Sequence, residues 1–175
     1  MYNKELLEEL RSSITLIEHE GARFGDPDLG NNVRYWIAGN LLWLASTDEN
    51  VSKEELDLIS DYLWYDFPKD KVDLILQDVG ISSKYLFSTG IPDVLKRLVR
   101  LDNQRRIRTP DDALSHLFTT IVEGLGVMLI EADGHADFLE ITKGKNQIDE
   151  FEQYMHENLN VYKYGGTGVS APGKR

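Results

Sequence analysis

Four carboxylates, Asp48, Glu55, Asp133 and Glu140, match the second half of a calcium-binding loop. They fall in two stretches that share a grammar, LLWLASTDENVSKEEL and GVMLIEADGHADFLEI, offset by 85 residues. At that offset Leu44 meets Leu129, Ser52 meets Asp137, Glu55 meets Glu140 and Leu56 meets Ile141. Calcium takes carboxylate oxygens, so an EF-hand loop is the first chemistry to test against these stretches. A standard EF-hand is excluded. With Glu55 or Glu140 at the twelfth loop position, the first is Leu44 or Leu129, which cannot ligate. The same residues have a local use as well. Ser52 and Asp137 each stand three before a glutamate, the capping-box spacing, which satisfies free N–H groups at a helix start and is worth about 1 kcal/mol.

Other chemistry finds less support. The chain has no cysteine, which removes disulfides, thiol catalysis and Cys-ligated zinc. Its histidines, His19, His116, His135 and His156, form no H-x-x-x-H or H-E-x-x-H pair, and His116 reads as a core or boundary residue. Glu152 lies four before His156, whereas di-iron bundles need a spacing of three. GGTGVSAPGKR looks like a phosphate loop, but no helix follows to bind the phosphate. Among 30 acids a pair for acid–base work is available, yet nothing selects one. A helical enzyme with a carboxylate site is therefore the weakest of three readings.

The elements that must position these residues are helical. Leu6, Leu7, Leu10, Ile14 and Ile17 form an i, i+3/i+4 stripe that predicts a helix from Asn3 to His19. Asp26 and Pro27 read as N-cap and N1 of a second helix reaching Ser46, apolar on more than one face. A third helix is expected from Ser52 to Tyr65, and KVDLILQDVG reads as a short fourth closed by Gly80. ISSKYLFSTG makes a turn or two, and IPDVLKRLVRLDNQ a helix with Leu95, Leu98 and Leu101 on one side. Thr109, Pro110 and Asp111 read as the start of a helix running to Ala132. Gly124 and Gly126 inside it each cost about 1 kcal/mol against alanine, which implies a close helix crossing. A last helix spans Phe138 to Asn158, with Gly144 as a candidate break. No period-two alternation appears. The expected fold is all-α, with seven to eight helices and two related helix-loop-helix halves in residues 1–162, then a flexible Gly-rich tail at 163–175.

The formal charge of −11 repels nucleic acid and favours cations or basic protein surfaces. Six basic residues cluster between Lys96 and Arg108, but no aromatic residue interleaves to stack on bases. The N-terminal MYNKELLEEL lacks the apolar core of a signal peptide, and stretches such as NLLWLA are too short to span a bilayer. A cytoplasmic protein without membrane insertion is expected. Trp36 and Trp43 read as core. Trp64 and Tyr65 read as an exposed aromatic patch, and with Arg105 and Arg106 they are the candidate partner-binding residues.

LASTDENVSKEEL and LIEADGHADFLEI resemble the tellurite-resistance TerB-like domain, an all-helical family in which a helix ends in a D-G-x-[VI]-[ST]-x-x-E-like turn. Asp133-Gly134 matches the D-G step and Val51-Ser52-x-x-Glu55 matches the cap, while Asp48-Glu49 lacks the glycine. The resemblance covers roughly residues 35–63 and 117–159. It implies a non-catalytic interaction or sensing module of stress, tellurite or phage-defence systems. The resemblance implies a divalent cation, calcium or magnesium, at Asp48, Glu55, Asp133 and Glu140, with Asp137 and His135 as further candidate ligands. A protein partner is expected, a second copy of the chain included. The alternative is an acidic inhibitor or immunity-type protein that blocks a basic enzyme.

Overall fold

The structure, a computed structural model, describes residues 2–45, 51–63, 90–132, 134 and 138–163. These form seven α-helices: α1 (Lys4–Arg23), α2 (Leu29–Ala45), α3 (Lys53–Leu63), α4 (Asp93–Arg105), α5 (Leu114–Ala132), α6 (Phe138–Asn158) and the short α7 (Asn160–Lys163). A 3-10 turn at Pro110–Asp112 precedes α5, and no strand occurs among the described residues. The fold is compact and all-α. The short helix expected in KVDLILQDVG, the turns of ISSKYLFSTG and the tail from residue 164 lie outside the described residues.

Local chemistry explains two of the helix starts. Asn3 caps α1 by accepting from the N–H groups of Glu5 and Leu6 at 3.0 and 3.1 Å. At α3 the capping box is complete. The Glu55 N–H donates to Ser52 Oγ at 3.1 Å, and the Ser52 N–H donates to Glu55 Oε1 at 3.0 Å. Two starts differ from the sequence expectation. α2 begins at Leu29, and the Asp26 carboxylate instead takes a two-pronged bond from Arg97 of α4, at 2.6 and 2.9 Å. α5 begins at Leu114, because its cap comes from α4. Asp102 accepts from the N–H groups of Leu114 and Ser115 at 2.8 and 2.9 Å and from the Ser115 hydroxyl at 2.8 Å. Thr109 makes no side-chain bond to the helix backbone.

The two halves repeat more than a hairpin. α2 and α5 begin at Leu29 and Leu114, and α3 and α6 at Lys53 and Phe138, so one offset of 85 residues registers both pairs. α2 and α5 pack together at the centre. α1 packs on α2, α5 and α3, and α4 packs on α5, α2 and α6. α3 lies against α2 and α5, while α6 lies against α5 and α2. Exchanging α1 with α4, α2 with α5 and α3 with α6 leaves this pattern unchanged, so each half is three helices about a pseudo-twofold axis.

The core lies where these helices meet. Ile14, Leu29, Ile37, Leu95, Phe118 and Leu125 are fully buried in it, and Trp36 stands against Phe118 and Phe151 with ring centroids 5.3 and 5.9 Å away. A buried polar pair joins two of these helices. Asn40 and Gln147 exchange amide hydrogen bonds at 3.1 and 2.7 Å between α2 and α6. Gly124 has the close crossing expected of it, since a Cβ there would come within 2.9 Å of Leu10 on α1. Gly144 does not break α6. Among the described residues α5 alone is long and apolar enough to cross a membrane by length and composition, at a mean hydropathy of 1.3; 56% of it is buried in the fold, as a core helix would be.

Candidate functional site

The two corners that carry the candidate cation residues are only partly described. Glu55 and Glu140 are both buried, at equivalent places in the first turns of α3 and α6. Glu55 spends one oxygen on its own helix cap. Asp48, Asp133, His135 and Asp137 lie outside the described residues. Among the described residues no three His, Asp or Glu side chains come close enough together to hold a metal ion.

Trp64 and Tyr65 also lie outside the described residues. Arg106 is exposed, in a left-handed conformation (φ 55°) at the end of α4. Arg105 serves the fold. Its Nη1 donates to Asp102 at 3.1 Å and to the Asp112 carbonyl at 3.3 Å, and its Nε lies 3.9 Å from Glu20 on α1. Around it is an open depression of about 600 Å³, where Arg23, Arg106 and Arg108 mix with Asp111 and Asp112, so it carries no single charge.

Sequence reasoning passed over another surface feature. Between α5 and α6 runs a groove of about 320 Å³. It is lined by Leu44, Val122, Val127, Ile130, Ile141 and Ile148, with Gly126 contributed by α5 and Gly144 by α6. Glu123, Asp149 and Glu152 are exposed on its rim against a single cation, Lys145, and the buried Glu140 lies at one end. Val127 and Ile141, both aliphatic, are 49% and 41% exposed. A Cβ on Gly144 would meet no described atom within 4 Å.

The other half shows what this surface is in a filled state. At the 85-residue offset Val127 corresponds to Leu42, Ile141 to Leu56, Gly144 to Ile59 and Glu123 to Ala38. Leu42 and Leu56 are 3% and 4% exposed, and Ile59 and Ala38 are buried too. The repeat is therefore closed on one side and open on the other. The open copy carries a glycine and an acid where the closed copy has Ile59 and Ala38. A sequence signal existed in the 85-residue alignment itself, which sets Gly144 against isoleucine and Glu123 against alanine.

One histidine cluster lies elsewhere. His116 Nε2 is 2.6 Å from the Tyr162 hydroxyl, and the His156 ring stacks on Tyr162 at 4.1 Å. Burial pushes the His116 pKa down, with His156 adding to the effect and Asp102, Glu152 and Asp111 opposing it. The cluster fastens α7 to α5 and α6. Asn103 joins it there, donating to the Asn158 carbonyl at 3.0 Å and accepting from the Asn160 N–H at 2.9 Å.

Comparisons with protein-family models, with curated proteins and with solved structures find no match to this chain.

Proposed function

We propose that the protein is a non-catalytic, TerB-like interaction module of a stress-response or phage-defence system, acting in the cytoplasm by binding a protein partner. The observation that supports this reading is the α5–α6 groove, whose half-exposed aliphatic side chains lie on a surface that is buried in the related half. Apolar side chains left open in a groove contribute favourable free energy when a partner covers them. The test is photo-crosslinking in cells, with a photoreactive residue at Val127, at Ile141 or, as control, at Leu16. Adducts to one and the same protein from the first two positions and not the third are expected. Adducts from none of them, or only from Leu16, would overturn the reading.

A second reading holds a divalent cation, calcium or magnesium, at the two corners, with Asp48, Glu55, Asp133 and Glu140 as ligands. The burial of Glu55 and Glu140 at equivalent places favours it. Thermal unfolding with either ion against EDTA tests it, on the wild type and on Asp48→Asn/Asp133→Asn. An ion held at 100 times its Kd adds about 2.7 kcal/mol to stability, and the double variant should lose that gain. No shift with either ion would return the four acids to helix capping.

A further inference from the structure

We infer that the α5–α6 groove receives a basic amphipathic helix of a partner protein, about three turns long. This rests on the interaction reading above and names the occupant.

The walls of the groove are two packed helices, and the element that fits such walls is a third helix whose ridge of side chains enters the groove. Gly126 and Gly144 lower the walls where that ridge would pass. The lined part of α6, from Glu140 to Glu152, spans about 18 Å at 1.5 Å per residue, which is the length of about three helical turns. A volume of about 320 Å³ holds a few apolar side chains rather than a whole helix, so the partner lies on the groove and inserts one face.

The charge of the occupant follows from the rim. Glu123, Asp149 and Glu152 face outward beside Lys145, on a chain of net charge −11. Lysines or arginines flanking the apolar face of the incoming helix would meet these acids, and an acidic helix would be repelled. In the closed half, the position of Glu123 belongs to the buried Ala38. The acid at 123 is thus a property of the open copy and not of the repeat.

The test uses fluorescent model helices of about 14 residues. One carries leucines on a single face and lysines elsewhere, a second has glutamates for the lysines, and a third shuffles the first to destroy its apolar face. The lysine helix should bind at least tenfold more tightly than either control. Val127→Lys should weaken it by about tenfold or more, and Leu16→Lys should not. Glu123→Lys/Asp149→Lys, confined to the exposed rim, should shift preference towards the glutamate helix, and it remains informative if Val127→Lys fails to fold. A diazirine-bearing lysine analogue at position 145 should join the lysine helix.

Equal binding of lysine and glutamate helices would overturn the basic occupant while leaving the groove a protein-binding surface. Equal binding of the shuffled peptide would reduce the effect to net charge and overturn it as well. Crosslinks from position 145 to residues 64–89 of the same chain, or to a second copy, would give the groove to those occupants instead. Failure of the interaction reading itself would show separately, as the absence of cellular adducts from Val127 and Ile141.

Discussion

The carboxylate of Asp102 on α4 holds the start of α5 through Ser115, accepting both its N–H at 2.9 Å and its hydroxyl at 2.8 Å. With the Leu114 N–H and Arg105, this buried acid has four donors. Burial pushes its pKa up, and the bonds from Ser115, Leu114 and Arg105 oppose that shift. Asp102→Ala would leave buried donors without an acceptor and cost about 3 kcal/mol. Asp102→Asn keeps one acceptor oxygen and should cost about 1 to 2 kcal/mol. Urea unfolding of the two variants checks the order; equal losses would show that the acceptor does not matter.

Gly144 and Gly30 should respond to alanine in opposite ways. A methyl at Gly144 enters open space in mid-helix, so Gly144→Ala should stabilise the free protein by about 0.5 to 1 kcal/mol. At Gly30 the new Cβ would stand 2.5 Å from Glu18 Cβ and 2.8 Å from its Cα, where α1 and α2 touch, and about 1 to 3 kcal/mol should be lost. Melting curves decide it. If Gly144→Ala also weakens the lysine helix, the glycine serves the bound state at the expense of the free one.

The Asn40–Gln147 pair should show strong coupling. Asn40→Leu or Gln147→Leu alone strands one buried amide at about 1 to 3 kcal/mol. Changing both removes the stranded group, so the double variant should lose less than the sum of the singles. Additive losses in a double-mutant cycle would mean that the two amides act independently.

His116 should add an acid-side weakness. Its folded pKa lies below the ordinary value of 6.5, so at mildly acidic pH the unfolded chain binds the proton that the folded chain refuses. Its contribution is therefore present above about pH 6.5 and is lost as pH falls from there through the lower folded value. His116→Gln should flatten that part of a plot of melting temperature against pH. An unchanged acid limb would assign the loss to other groups.

Much of the fold was legible because helix signals are local. Asn3, Ser52 and the i, i+3/i+4 stripes act within a turn or two, and α1, α3, α4 and α6 stand close to where the pattern puts them. Gly124 announced a close crossing and has one. The start of α5 was misread because its cap reaches across from another helix. Thr109, Pro110 and Asp111 form a plausible local signal, but the carboxylate that satisfies the first N–H groups belongs to Asp102.

By itself, then, the order of residues determined the class of fold, most helix limits and the 85-residue repeat, since periodicity and capping depend on near neighbours along the chain. Only the tertiary structure decided which apolar residues are core. Leu42 and Val127 occupy the same place in the repeat and both are aliphatic, yet one is 3% exposed and the other 49%. Burial depends on what lies across a face, and that is set by helices far away in the chain. For the same reason the groove became visible only once α5 and α6 were packed.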